Sequence, residues 1–207
     1  VASTVADLGD RWEAAQIFYK PYPANHFTHA GIDAAISLRE QGLVATNVAT
    51  ATLSVAPPTV RTIGDPIDVK RTPDTGYQAQ FSGPYTVAAA LLGGGGLGVG
   101  LSDFTDELAH DPTRRALMAR IDVVGATDLL DIYPHQFPAR LDVTTTDGTR
   151  LLEEVLTNRG GNDRPLSEQE LAAKFTDNVD GLISEATADE IVTRINGLAS
   201  ASSTHQL

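Results

Sequence analysis

Two short segments joined by Asp147-Gly148 give the clearest structural signal in this 207-residue sequence. Residues 139–145 and 149–156 are each typical of a β-strand. Asp-Gly is a dipeptide that a tight hairpin turn prefers, because the turn requires positive φ angles. The pattern places Leu141 and Val143 on one face of the hairpin. The fold must therefore include an antiparallel pair of strands.

Helices are predicted on both sides of this hairpin. Ser82 with Pro84, and Asp111 with Pro112, resemble helix starts, and S/T-x-x-E capping boxes begin at Ser167 and Thr187. The predicted helices are 28–41 (stopped by Gly42), 82–92, 102–109, 111–119, 167–178 and 188–199. Two further strands are predicted at 46–56 and 121–124. An extended segment is predicted at 13–19, and loops are predicted at 61–77 and 93–100. Strands separated by helices, together with a hairpin, predict an α+β domain with a mixed or antiparallel sheet.

Composition excludes several functional classes. The net charge is −12, from 15 basic and 27 acidic residues, which argues against partners such as nucleic acid or an anionic membrane. The sequence has no cysteine, so it cannot supply a disulfide, a cysteine-bound zinc or an iron–sulfur cluster. We therefore expect no cofactor, with any acid–base chemistry carried by side chains. Absence of cysteine also fits a cytoplasmic location.

The segment from Lys20 to His29 concentrates groups that can do chemistry. It holds one lysine and two histidines, His26 and His29, with Pro21 and Pro23 stiffening the backbone between them. Thr28 is expected to cap the following helix and to place His29 in its first turn. A lysine, a histidine and a helix N-terminus can together hold a carboxylate and move a proton. The alternative is an ordinary surface turn before an amphipathic helix.

This segment and three others resemble the MmgE/PrpD family, which includes 2-methylcitrate dehydratase, cis-aconitate decarboxylase and an iminodisuccinate epimerase. The four matching motifs occur in the family's order, and they are KPYP with TH-x-GIDAA (20–35), AQFSGPYTVAAALL (79–92), FPARLDVTTTDG (137–148) and PLSEQELAAKF (165–175). The resemblance covers only the C-terminal half of a family member. It implies a small α+β lid domain at 15–160, preceded by a linker or helix end at 1–14. C-terminal helices at 161–199 would pack on a helical domain outside this sequence, and 200–207 would be a frayed tail.

The resemblance also implies roles for residues. Lys20 corresponds to an active-site lysine that would bind a substrate carboxylate. His29, which matches a histidine found in many members just before this helix, and His26 compete for the acid–base role. In the decarboxylase branch the histidine lies at the position of Asn25, one residue before His26. Gln80 is a candidate for substrate binding.

Ser82 is a second such candidate, although it can equally be a helix cap. The predicted function is a cofactor-independent lyase or isomerase acting on a small polycarboxylate, with dehydration of 2-methylcitrate favoured because Asn25 cannot transfer protons. A homodimer is implied. The rest of the site would come from the helical domain, so this chain by itself is expected to be inactive. The alternative is a non-enzymatic lid that serves as a binding or assembly module.

Overall fold

A computed structural model describes residues 9, 10, 12 and 16–203. The predicted linker at 1–14 lies mostly outside these residues, as does the end of the predicted tail. A four-stranded mixed sheet forms the centre of the fold, with the spatial order β2–β1–β3–β4. Its strands are β1 (Val48–Val55), β2 (Ile121–Gly125), β3 (Ala139–Thr145) and β4 (Arg150–Val155). Strand β1 pairs in parallel with β2 and antiparallel with β3, and β3 pairs antiparallel with β4.

Nine α-helices surround the sheet in the described part of the chain. They are α1 (His29–Glu40), α2 (Pro57–Ile63), α3 (Ile67–Arg71), α4 (Gly76–Ala79), α5 (Gly83–Leu92), α6 (Asp106–Ala109), α7 (Pro112–Met118), α8 (Glu168–Val179) and α9 (Glu185–Asn196). The α+β class and the mixed sheet predicted from the sequence are therefore confirmed. None of these helices is both long and apolar enough to cross a membrane.

One face of the sheet carries the core. Leu53 of β1 is paired with Leu141 of β3, and both side chains are buried. Helices α1 and α5 pack against each other and cover this face. Gly31 allows the close approach of α1, since a Cβ at that position would lie 2.8 Å from a Leu53 methyl group. The packing fixes α1, and therefore His29 at its start, against the sheet.

Three local predictions were wrong. The predicted loop at 61–77 contains the end of α2 and two further short helices, α3 and α4, whose few residues give too little periodicity to detect. Helix α9 starts three residues earlier than its predicted capping box, because Ser184 caps it by accepting a hydrogen bond from the amide of Thr187. Residues 102–109 form a 3₁₀ turn and the separate helix α6 instead of one helix.

The glycine run at 93–100 folds around two carboxylates. The amides of Gly95 and Gly100 donate to Oδ2 of the buried Asp103, at 2.8 and 2.9 Å. Asp177 of α8 packs on the same loop, where a Cβ on Gly100 would lie 2.7 Å from its Oδ2. The run is therefore a loop, as predicted, and its glycines permit this close approach.

Helices α8 and α9 contact each other and are mostly exposed. Ser167 and Glu170 form the predicted capping box of α8. Apolar side chains on the pair, such as Leu171 and Ile195, remain exposed. Packing of this surface on a helical domain outside the sequence stays a prediction.

Candidate active site

The chain from Lys20 to His29 folds as a compact turn against the core. Pro21, Tyr22 and Ala24 are buried. The side chain of Asn25 caps a 3₁₀ turn at His26–Thr28 by accepting a hydrogen bond from the amide of Phe27, at 3.0 Å. The turn places His29 at the first position of α1, as predicted.

The predicted cap by Thr28 is wrong. Its hydroxyl donates to the carbonyl of Asn25 at 2.7 Å and makes no capping bond to α1. Because a 3₁₀ turn precedes α1, the first amides of the helix find carbonyl partners in that turn, such as the His29 amide bonding the carbonyl of His26. Asn25, one turn earlier, is therefore the residue that starts the helical segment.

His26 and His29 form an aromatic pair with two unpaired nitrogens. Their ring centroids are 4.9 Å apart. Nε2 of His26 and Nδ1 of His29 are the buried side-chain nitrogen or oxygen atoms that lack a hydrogen-bond partner in the described residues. Buried polar atoms are nearly always paired, so two orphans on adjacent rings indicate a place where a further group binds.

The two histidines differ in access. His29 is fully enclosed, and its Nε2 lies 3.3 Å from the carbonyl oxygen of Ala24. His26 is only half-buried, between the rings of Phe18 and Phe137 at centroid distances of 4.1 and 4.7 Å. Of the two imidazoles, His26 is therefore the one nearer to solvent.

Both imidazoles are held in the neutral form. Burial, with a smaller contribution from the ammonium of Lys20, lowers the pKa of His26 to about 4. Burial lowers the pKa of His29 to about 3, and His26, Lys20 and Lys174 also disfavour its cation. Neutral imidazoles at pH 7 can accept a proton without first losing one.

The lowered pKa values predict that the protein loses stability in mild acid. The unfolded chain has histidines with a pKa near 6.5, so it binds more protons than the folded chain as the pH falls below that value. Between pH 7 and pH 5, His29 alone should lower the free energy of unfolding by about 2 kcal/mol. Urea unfolding at several pH values measures this loss.

A variant separates the effect of His29 on stability from a second effect of acid, the weaker repulsion between carboxylates as they become protonated. His29→Gln should show a shallower dependence of unfolding free energy on pH, whereas His135→Gln, at an exposed histidine, should keep the wild-type slope. Equal slopes in wild type and His29→Gln would show that His29 is not buried as a neutral group.

Lys20 and Gln80 both line one groove. The groove has a volume of about 300 Å³, and its lining is Lys20, Pro23, Ala24, Asn25, Gln80 and Phe81. Nζ of Lys20 donates to the carbonyl of Ala24 at 3.2 Å, and the amide of Asn25 donates to the carbonyl of Gln80 at 2.8 Å. The fold therefore brings together two of the predicted substrate-binding residues, which are 60 positions apart.

Ser82 does not share this groove lining. It is fully buried, its hydroxyl donates to the carbonyl of Lys70 at 2.5 Å, and it accepts from the amide of Tyr85 at 3.0 Å. Its hydroxyl hydrogen is thus already donated to Lys70 and its hydroxyl oxygen caps α5, which favours the structural role over substrate binding.

A partly buried network next to His29 was missed by sequence reasoning. The hydroxyl of Tyr22 donates to Asp33 Oδ1 and accepts from Arg159 Nη1 at 3.0 Å. Arg164 Nη1 donates to Asp33 Oδ2 at 2.6 Å, and Arg159 also binds the carboxylate of Glu170. The Tyr22 ring meets His29 edge-on, at a centroid distance of 5.4 Å. The network therefore ties the Lys20 turn and α1 to the start of α8.

All four sequence motifs meet around this turn. Tyr22 and Asp33 come from the first motif, and the Gln80 carbonyl bound by Asn25 comes from the second. Phe137 of the third packs on His26, and Glu170 of the fourth binds Arg159. Sequence segments that are distant along the chain are thus parts of one site.

Comparison with known proteins agrees with this arrangement. Residues 22–197 match the MmgE/PrpD C-terminal domain, and the chain belongs to this family. Cis-aconitate decarboxylase from Homo sapiens is 25% identical over 203 residues, covering 96% of this chain and 40% of the relative. The Mus musculus enzyme of the same name is 26% identical over 183 residues, covering 88% of this chain and 36% of the relative. The chain thus spans about two fifths of the length of these lyases.

Among the described residues, no group of three or more histidine, cysteine, aspartate and glutamate side chains could hold a metal ion. The expectation that the chemistry needs no cofactor stays a prediction.

Proposed function

We propose that this chain is the lid side of the active site of a cofactor-independent lyase that acts on a small polycarboxylate. The observation that carries the proposal is the pair of unpaired nitrogens on His26 and His29. His26 directly follows Asn25, which lines the groove together with Lys20 and Gln80, although neither histidine is among the lining residues. The remaining acid–base groups would come from protein outside this sequence.

Each residue has a role that its position allows. Lys20 lines the groove, so its ammonium can bind a substrate carboxylate as a point charge. Gln80 lines the same groove and supplies amide hydrogen bonds. His26, the less buried imidazole, removes a proton from the carbon next to a carboxylate, and His29 lies behind it.

The reaction we favour is dehydration, as for 2-methylcitrate. The C–H bond breaks, its proton goes to the imidazole and its electron pair stays on the carbon, stabilised by the attached carboxylate. This pair then forms the carbon–carbon double bond as the C–O bond on the neighbouring carbon breaks, and the hydroxyl leaves as water after taking a proton from a general acid. No redox change occurs, which is consistent with side-chain chemistry alone.

Decarboxylation of cis-aconitate is the second candidate, and the names of the two relatives favour it. Asn25 counts against it, because an amide at the position of the decarboxylase histidine cannot transfer a proton. In this fold the Asn25 side chain instead accepts the Phe27 amide bond that shapes the turn.

Turnover of a substrate panel tests the proposal. In the longest protein that contains this chain, 2-methylcitrate should be dehydrated and cis-aconitate should not release carbon dioxide. Lys20→Met should reduce kcat/KM at least about tenfold by removing a charged hydrogen bond. Lys70→Met, which removes a half-buried lysine that does not line the groove, should have little effect. If neither polycarboxylate is turned over, or if Lys20→Met behaves like Lys70→Met, the proposal fails.

A further inference from the structure

Residues 158–161, with the sequence Asn-Arg-Gly-Gly, lie between strand β4 and helix α8 and outside all four sequence motifs. Arg159 belongs to the network on the Tyr22 hydroxyl. Its neighbour Asn158 is buried, with only 1% of its surface exposed. A buried side-chain amide needs hydrogen-bond partners, so the bonds of Asn158 show what this segment holds in place.

Asn158 clamps the backbone of Phe137. Its Oδ1 accepts a hydrogen bond from the amide of Phe137 at 2.7 Å, and its Nδ2 donates to the carbonyl of the same residue at 3.1 Å. The amide of Asn158 also donates to Oε1 of Gln136 at 2.9 Å. Because one side chain binds both backbone groups of Phe137, it fixes where that residue lies and which way its ring points.

The ring of Phe137 is one of two that enclose His26. It meets the imidazole edge-on, at an interplanar angle of 80° and a centroid distance of 4.7 Å. The ring of Phe18 packs on the same imidazole at 4.1 Å. Phe18 in turn lies against Gly161, where a Cβ would be 2.7 Å from its Cε2. The segment 158–161 therefore supports both aromatic neighbours of His26.

This enclosure decides the protonation state of His26. In the described part of the chain, the charged or titratable groups beside it are Lys20, on the same turn, and His29, whose ring centroid is 4.9 Å away. Neither is an anion that could stabilise an imidazolium. Burial is the larger cause of the lowered pKa of His26, and the two rings provide much of that burial.

We propose that Asn158 is a positioning residue for His26, because it clamps Phe137 and thereby keeps the imidazole enclosed between Phe137 and Phe18. The inference rests on the proposed function, in which His26 accepts the substrate proton. It adds the segment 158–161 to the site, although none of its residues lines the groove.

Two variants break the two links of the clamp separately. Asn158→Ala frees the backbone of Phe137, and Phe137→Ala removes the ring but keeps the backbone groups that bind Asn158. NMR on the longest protein that contains this chain, labelled at histidine, reports the protonation of His26, whose signals are those that His26→Gln lacks. Between pH 7 and pH 5 the wild-type ring should stay neutral, whereas either variant should bring a protonation step into this range.

Kinetics of the same variants show whether the clamp matters for turnover. Asn158→Ala should lower kcat about tenfold, because His26 is no longer held in place, and should change KM little. The acid limb of the pH profile of kcat should move to higher pH together with the protonation of His26. Because Asn158 acts through Phe137, the double variant Asn158→Ala/Phe137→Ala should lower kcat no more than Phe137→Ala alone.

Thr145→Val is the matched control. The buried Thr145 hydroxyl also donates to a backbone carbonyl, that of Thr149 at 3.1 Å, but it lies at the opposite end of β3 from Phe137. This variant should leave both kcat and the protonation of His26 unchanged. Asn158→Ser, a milder change that cannot bind both backbone groups in the same geometry, takes the same test where Asn158→Ala does not fold.

The outcomes separate this inference from the proposed function. If His26 in Asn158→Ala stays neutral down to pH 5 and kcat stays at the wild-type value, Asn158 is only structural and the inference is wrong. If His26→Gln lowers kcat in that case, the proposed function stands without the clamp. If His26→Gln keeps wild-type kcat, the proposed function fails, and the clamp has no catalytic residue to position.

Discussion

Replacing His26 by glutamine is expected to lower kcat by about 10²–10⁴-fold, which is the usual contribution of a general acid–base residue. The substitution keeps a polar side chain of similar size in the half-buried position between Phe18 and Phe137. The assay uses the longest protein that contains this chain. KM should change little, because Lys20 and Gln80 would still bind the substrate.

His29→Gln is the informative companion to that variant. His29 is fully enclosed whereas His26 is only half-buried, so the loss of His29 should lower kcat less and should shift the pH dependence of kcat. The exposed His135 supplies the matched control, and His135→Gln should keep wild-type kcat. If both His26→Gln and His29→Gln keep wild-type kcat, the turn from Lys20 to His29 is only structural.

Asp33→Ala is expected to lower the free energy of unfolding by about 3 kcal/mol, because it leaves a buried hydroxyl and a guanidinium without their acceptor. Asp33 is buried at the centre of the network and accepts hydrogen bonds from both Tyr22 and Arg164. The expected loss is at the lower end of the range for removing one partner of a buried ion pair, since Arg164 is 44% exposed and can be hydrated. Urea unfolding at pH 7 measures it.

Two comparisons make the test of the network specific. Asp33→Asn keeps an acceptor for Tyr22 and should cost less than Asp33→Ala. Asp142→Ala removes an exposed ion pair with Arg150 and should cost at most about 1 kcal/mol. Equal losses for Asp33→Ala and Asp142→Ala would show that the network does not hold the turn against α1.

The features predicted correctly from the sequence are those set by neighbouring residues. The hairpin at Asp147-Gly148 forms where the turn dipeptide requires it, with Gly148 at a φ of 86°. Helix α7 is capped by Asp111 and α8 by Ser167, in each case through a bond to an amide three residues ahead. Such signals act within one turn of chain, so a single sequence contains them.

The parts of the site that were missed depend on contacts between distant residues. Arg159 reaches the Tyr22 hydroxyl across 137 positions, and nothing near Arg159 in the sequence distinguishes it from a solvated arginine. The short helices α3 and α4 were also missed, because they are fixed by packing more than by their own periodicity.

A structure of the longest protein that contains this chain, bound to the unreactive analogue tricarballylate, tests the central claim most directly. A ligand carboxylate should lie about 2.7–3.2 Å from Nζ of Lys20, and a ligand carbon bearing a carboxylate should face the His26 ring. Lys20 would then have exchanged its bond to the Ala24 carbonyl for one to the ligand. Tricarballylate bound away from the turn, with Lys20 still on the Ala24 carbonyl, would contradict the assignment of this site.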